Sequence, residues 1–352
     1  VNRDRQLDIM VGDFWYDGRT GQRHEIRPPA SLADGLATYS NAFLVWSADV
    51  NRDGWPDQIT IGMPGTAAAW QENPKGASRH WKEHLIAESA CNESPAFADL
   101  FSDKRPVLVM GVQPPGEEHS GTMMWLEPDI NPTKPWKARQ ISETGSPAKQ
   151  IPGTFRYSHG LGIGDLNGDG RKDVLCASGW WEQPKEGRKA LGPWRFHAQG
   201  LGEECAQMIV TDVTGDGRPD VISSSAHNFG IWVAEQNAHG DFAMRTVFTN
   251  LTGSTHALVG ADLDGDGVQD LVTGKRFWAH GWGDVGARDP ANLYWLRGVR
   301  KGKQVSYDPI LIDGDSGVGT KFEVADLNRD RRPDIVVSNK KGVFMFTQTG
   351  KW

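Results

Sequence analysis

Cysteine is scarce in this sequence: Cys91, Cys176 and Cys205 are the three present among 352 residues, with no CxxC pair. An odd count without paired spacing holds at most one disulfide, which excludes a disulfide-framed fold. No run of about 18 apolar residues occurs, the length that a membrane-spanning helix needs. A basic excess is also missing. The formal charge is −7, and phosphate backbones are bound by basic surfaces, so nucleic acid is not expected as a partner. GxSxG, HExxH and the glycine-lysine phosphate loop are absent, which removes the common hydrolase, zinc-protease and nucleotidase signatures.

What the sequence has in quantity is glycine, tryptophan and short acidic loops. Glycine numbers 42 and tryptophan 15, in a chain that is 38% hydrophobic. The densest loop carries Asp262, Asp264, Asp266 and Asp270 at positions 1, 3, 5 and 9, with glycines between them. Oxygen ligands on a tightly wound loop suit Ca²⁺, which takes six to eight oxygens. The same spacing recurs with Asp49, Asn51, Asp53 and Asp57, and with Asp165, Asn167, Asp169 and Asp173. It returns as Asp212, Thr214, Asp216 and Asp220, then as Asp326, Asn328, Asp330 and Asp334. A decayed copy at 99–107 has lost positions 3 and 9 and is expected to bind no metal.

The chain opens in mid-motif, at Asn2, Asp4 and Asp8, which makes seven copies spaced 47 to 66 residues apart. That opening reads as a processed or excised piece of something longer; with the break after Lys351 and Trp352, either the ring closes by sharing strands between its two ends or the chain continues into a missing downstream part. Each copy has one grammar: an apolar strand enters the loop, a second leaves it, and a third and fourth carry tryptophan. Four short antiparallel strands per repeat are the signature of a propeller blade. The expectation is therefore all-β, one domain over 1–352. It is a seven-bladed β-propeller with loops near 1–8, 49–57, 99–107, 165–173, 212–220, 262–270 and 326–334, each between the first and second strands of a blade. A four-stranded sheet buries its faces only against neighbours, so the recurrent tryptophans read mainly as core between repeats.

With these residues in place, the repeated DxNGDGxxD pattern resembles the FG-GAP/VCBS repeats of integrin-alpha-type seven-bladed propellers. The resemblance implies Ca²⁺ at positions 1, 3, 5 and 9 of the five well-formed loops. Thr214 is the weakest of those ligands, and Arg329 and Arg331 replace glycines in the last loop. Weak Ca²⁺ loops suit the millimolar Ca²⁺ outside the cytosol, so the expected location is extracellular or periplasmic. A narrower resemblance, to the propeller of aldos-2-ulose dehydratases, rests on three segments. They are Tyr157-Ser-His159-Gly, Ser254-Thr-His256-Ala and Gly274-Lys275-Arg276-Phe-Trp-Ala-His280. It points towards carbohydrate as the partner.

Blade topology puts the metal loops on one face and the long connections 27–41, 142–155 and 274–292 on the other. Long loops on a rigid scaffold are where binding and catalysis gather. Counting back from each loop aspartate places Glu93, His159, Gln207, His256 and Lys321 at the opening of the innermost strands. His227 and His280 follow second strands in the same direction, with Lys275, Arg276, Trp180 and Trp15 near them.

A neutral histidine can take a proton alpha to a carbonyl while a cation steadies the enolate oxygen. The candidate base is His159 or His256, with Tyr157, Lys275, Arg276 and His280 as acid or oxyanion partners. Trp15, Glu93, Trp180, Gln207, His227 and Lys321 are candidate substrate contacts. This describes a sugar lyase or dehydratase. The alternative is a non-catalytic adhesion or recognition module for a glycan or a protein. A histidine at a strand start also serves simply to cap a carbonyl, and a Zn²⁺ or Fe²⁺ cluster at the channel mouth is a further reading, so the catalytic metal is left unknown. His24, His80, His84, His119, His197 and His239 show no repeat logic and read as surface.

Overall fold

The computed structural model describes residues 1–30 and 38–350. Part of the 27–41 connection, residues 31–37, and the closing Lys351 and Trp352 lie outside the described residues. The protein is all-β, and the single helical element among the described residues is one 3-10 turn, Gly187–Lys189. Contacts divide it into two compact units, one of Val1–Phe97 with Val107–Tyr157 and one of Ala98–Pro106 with Ser158–Trp352.

The first unit holds the three-stranded meander Ile9–Val11, Phe14–Tyr16 and Arg23–Glu25. A larger antiparallel sheet follows, through Leu44–Ala48, Asp57–Ile61, Thr66–Glu72 and Lys82–Ala90. That sheet continues through Val107–Val112, Thr122–Glu127 and Lys137–Gln140, joined at the pair Ala90 and Val112. Its core packs Leu44, Ile59, Trp70, Ile86, Leu108 and Leu126.

The second unit holds four meanders. Leu161–Gly164, Asp173–Cys176, Gly179–Glu182 and Arg195–Ala198 form the first, and Gln207–Thr211, Asp220–Ser224, Ile231–Gln236 and Phe242–Phe248 the second. Their opening strands pair in parallel, Leu161 with Gln207 and Gly162 with Met208, which joins the two into one eight-stranded sheet. Leu258–Ala261, Asp270–Gly274, Leu293–Lys301 and Gln304–Asp313 make a four-stranded sheet, and Glu323–Ala325, Asp334–Asn339 and Gly342–Phe346 a three-stranded one. The tryptophans expected in the core are there: Trp70, Trp125, Trp181 and Trp295 are among the largest fully buried side chains. The three cysteines are buried free thiols.

The aspartate at loop position 9 proves to be a bracket between its loop, the second strand and the third. Asp173 is fully buried. Its Oδ2 accepts the Leu166 N–H at 2.9 Å and its Oδ1 the Gln183 N–H at 2.9 Å. Asp57 does the same with Val50 and Asn73, Asp220 with Val213 and Gln236, Asp270 with Leu263 and Gly298, and Asp334 with Leu327 and Gln348. One carboxylate thus satisfies an amide in the loop and another at the end of the third strand, two donors that burial would otherwise orphan. Burial pushes Asp57 up to about 6 and Asp173 up to about 7.

In the decayed loop a guanidinium sits on Asp103, one of its two remaining acids. Arg188 Nε donates to Asp103 Oδ2 at 2.6 Å and its second nitrogen to Oδ1 at 2.9 Å, while the guanidinium lies 4.7 Å from the Phe101 ring centroid. The Arg188 hydrogen bond is the main force holding the Asp103 carboxyl well below its usual range. A depressed folded pKa contributes stability that is fully present above the unfolded value near 3.9 and is lost as pH falls below that value and through the folded one. Arg188→Ala is expected to cost about 1–2 kcal/mol in urea unfolding at pH 7. The gap to the parent should narrow progressively as pH falls from about 4 towards the depressed folded value; a gap unchanged down to about pH 2 would rule out the ion pair as its source.

Candidate functional site

Backbone hydrogen bonds lace together the segments that carry the histidines of the second unit. Gly160, in the left-handed region at φ +78°, donates its N–H to the Cys205 carbonyl at 2.6 Å. Ala206 N–H donates to the His256 carbonyl at 2.7 Å. Ser254, also left-handed at φ +54°, ties three segments at once. Its N–H donates to the Asn228 carbonyl at 2.8 Å, and its carbonyl accepts the N–H groups of His256 at 2.8 Å and Arg276 at 2.9 Å. A non-glycine residue in that region carries strain of order 1–3 kcal/mol, which persists where the surroundings enforce it.

The result is a file of four imidazoles. His159 lies 5.0 Å from His256 and 4.9 Å from His227 between ring centroids, and His227 lies 4.9 Å from His280. The file runs from depth to surface: His256 is fully buried, His159 buried, His227 half-buried and His280 exposed. At the outer end His280 Nδ1 is 2.9 Å from Asp284 Oδ1, and His227 Nδ1 is 3.7 Å from Asp284 Oδ2. The ligand atoms of His227, His280 and Asp284 lie within 4.8 Å of one another, a donor set that suits a zinc-like ion. Buried hydroxyls of Ser158, Thr252 and Ser254 and the buried Nδ1 of His227 have no hydrogen-bond partner among the described residues. Those are groups that a polar ligand would satisfy.

Burial holds the His227 pKa below the ordinary histidine value, and the neighbouring His159 adds to the effect. The unfolded chain therefore takes up this proton near pH 6.5, before the native chain does. Stability contributed by neutral His227 is lost as pH falls below about 6.5, because the unfolded state there binds more protons. Urea midpoints measured from pH 7.5 to 5.5 should fall, and His227→Gln should flatten that slope; an unchanged slope in the variant would assign it elsewhere.

The other residues expected at the site fall differently. Lys275 is buried, its Nζ donates to the Gly286 carbonyl at 2.5 Å, and burial lowers its pKa. It fastens the 276–291 loop. Arg276 is buried beside Ser254 and pairs with Val318 in an isolated bridge. Gln207 Oε1 accepts the Leu258 N–H at 3.2 Å, and Lys321 pairs with Glu323. Trp180 is buried in the core and stacks at 4.1 Å on His197, its partner on the next strand. In the first unit, Trp15 stacks at 4.1 Å on its cross-strand partner His24, Glu93 is buried, and Tyr157 is exposed under the Arg156 guanidinium.

The surface reading of three histidines is corrected here. His24, His84 and His197 share a repeat logic, each stacked on the tryptophan opposite it, and His84 is buried. His84 and His197 also meet Glu72 and Glu182 at 2.9 and 2.8 Å. Asp284 was not foreseen, since no repeat spacing points to it.

In the repeated acidic loops, position-1 aspartates accept the loop's own amides; Asp165 accepts from Gly168, Asp169 and Gly170. Arg171, Arg218 and Arg332 pair with the position-5 aspartates Asp169, Asp216 and Asp330. The Asp262 loop has Val268 in place of that arginine, and the oxygens of Asp262, Asp264 and Asp270 gather to within 4.8 Å of one another.

Residues 212–273 match an FG-GAP-like repeat, a kind typically extracellular. No curated protein matches the chain. Among solved structures, a putative 6-phosphogluconolactonase from Bacteroides uniformis is 10% identical with a TM-score of 0.45, over 94% of this chain and 89% of that one. The V. cholerae biofilm matrix protein Bap1 is 16% identical with a TM-score of 0.37, over 80% of this chain and 41% of that one. These likenesses, with TM-scores below 0.5, identify neither fold family nor function.

Proposed function

We propose that the chain is an extracytoplasmic seven-bladed β-propeller that binds an oxidised or acidic sugar at the four-histidine file and eliminates water or an alcohol from it. The observation that carries this reading is the unbroken run of imidazoles, 4.9–5.0 Å apart, that ends on a carboxylate. His280 is the base. Asp284 fixes its Nδ1, which leaves Nε2 to take the proton alpha to the sugar carbonyl. The C–H electron pair becomes the new double bond, the β C–O bond breaks, and the departing oxygen takes back the proton held by His280, or one from water. Arg276, whose charge is felt at His227, stabilises the enolate oxygen. His256 is fully buried, so a substrate meets His227 and His280 first.

The test is incubation with a panel of oxidised and uronic sugars, followed by the ultraviolet absorbance of an unsaturated product. New absorbance with at least one sugar is expected. Binding without product would support the second reading, a recognition module for a glycan or protein, which the FG-GAP-like repeat at 212–273 favours.

Ca²⁺ in the repeat loops belongs to the same proposal. Two ligands on opposite sides of Ca²⁺ stand about 4.6–5.2 Å apart, which fits the gathering of Asp262, Asp264 and Asp270. Burial favours the neutral form of Asp270, and a bound cation would reverse that preference. Chelation with EGTA is expected to lower the thermal unfolding midpoint, and Ca²⁺ in excess to restore it. An unchanged midpoint would count against structural Ca²⁺.

A further inference from the structure

We infer that Trp282 and Arg288 form a second sugar subsite next to His280, so that the ligand is an acidic saccharide of two or more rings; this rests on the proposed sugar site. Trp282 is 61% exposed, whereas Trp70, Trp125, Trp181 and Trp295 are at most 2% exposed. It sits two residues from both His280 and Asp284, in a turn closed by the Gly283 N–H on the His280 carbonyl at 3.1 Å. Two residues of chain keep its Cα within about 7.6 Å of each, so the residue is anchored beside the outer end of the file.

The indole is held in place yet stays largely exposed. Trp278 meets it edge to face at 4.1 Å between centroids. The loop behind it is folded on itself through Ala287 N–H to the Asp284 carbonyl and Asp289 N–H to the Gly286 carbonyl, at 3.1 and 2.9 Å. Lys275 clamps that loop from beneath at Gly286. A rigid, exposed aromatic face costs little entropy on binding, and its apolar area has no role in the core. The axial C–H face of a pyranose fits such a surface.

Arg288 supplies the sign. Its guanidinium lies 4.7 Å from the Trp282 ring centroid. A planar fork lying over the indole pairs with a carboxylate carried on the bound sugar ring. A neutral glycan would use the indole and leave the fork unused.

The experiment is calorimetric titration of the full chain with galacturonate, mannuronate and glucuronate tetrasaccharides, the corresponding single uronic acids, and a neutral glucose tetrasaccharide. At least one acidic tetrasaccharide should bind about tenfold tighter than its single sugar. Trp282→Ala should lose that advantage, Trp282→Phe should keep most of it, and Arg288→Ala should erase the preference for acidic over neutral chains. Circular dichroism checks that each variant folds. Equal binding of the tetrasaccharide by Trp282→Ala and parent, no preference for acid, or no binding to any member of the panel would overturn the subsite. Binding with these variant effects but without product formation overturns the elimination chemistry alone.

Discussion

Turnover of the sugar substrate should fall by about 100- to 10,000-fold when His280 is replaced by alanine, the range by which a positioned general base contributes. The side chain is exposed, so urea unfolding should move by less than about 0.5 kcal/mol. Asp284→Asn is the sharper variant, because it keeps the shape and removes the charge that orients His280 Nδ1 from 2.9 Å. Its loss should appear in kcat with KM little changed, the pattern of an interaction made only in the transition state. His239→Ala serves as a control on an exposed histidine outside the file. If His280→Ala turns over substrate as the parent does, the base assignment fails.

A second large effect concerns stability. Asp270→Ala strips the acceptors from the Leu263 N–H at 2.9 Å and the Gly298 N–H at 2.6 Å. Each orphaned buried amide costs about 1–3 kcal/mol, so the variant should lose about 2–6 kcal/mol in urea unfolding. Asp270→Asn keeps one carbonyl oxygen and should lose roughly half as much. Asp266→Ala removes an exposed acid of the same loop whose Oδ1 accepts the Val268 N–H at 2.7 Å, and should stay within about 1 kcal/mol. In EGTA the ranking should persist, since it arises from backbone amides. A loss from Asp270→Ala seen only with Ca²⁺ present would make the residue a metal ligand and nothing more.

These two residues mark what could and could not be read from the sequence. The loops were legible because their chemistry is local: an aspartate, a glycine and a second aspartate within nine residues fix a turn, and the strand after it follows. The core tryptophans were legible for the same reason, recurring at one place in most of the repeats. What position 9 does was only half legible. Its place beside the loop suggested a ligand, but its second partner is Gln183, Gln236 or Gly298 on the third strand, set by hairpin lengths that vary among repeats.

Cross-strand register was the larger blind spot. Trp180 and Trp15 looked like sugar platforms, yet pairing places His197 and His24 opposite them and the rings stack. Register on the third and fourth strands also shifts at irregularities such as Thr66/Ala68 and Leu293/Tyr294, which no composition signal marks. Counting back from the loop aspartates did bring His159 and His256 together. His227, expected only as a substrate contact, is the joint between the inner pair and His280. Asp284 reaches the file through the fold of the 276–291 loop, where neither repeat nor periodicity applies.

The most direct measurement is the imidazole ¹H–¹⁵N spectrum of the ten histidines during titration with the uronate tetrasaccharides. Signals of His159, His227, His256 and His280 should shift together with one saturation curve. Those of His24, His84 and His197, held against tryptophan, should stay in place. Shifts confined to histidines outside the file, or no shift at saturating saccharide, would contradict the assignment of this cluster as the functional site.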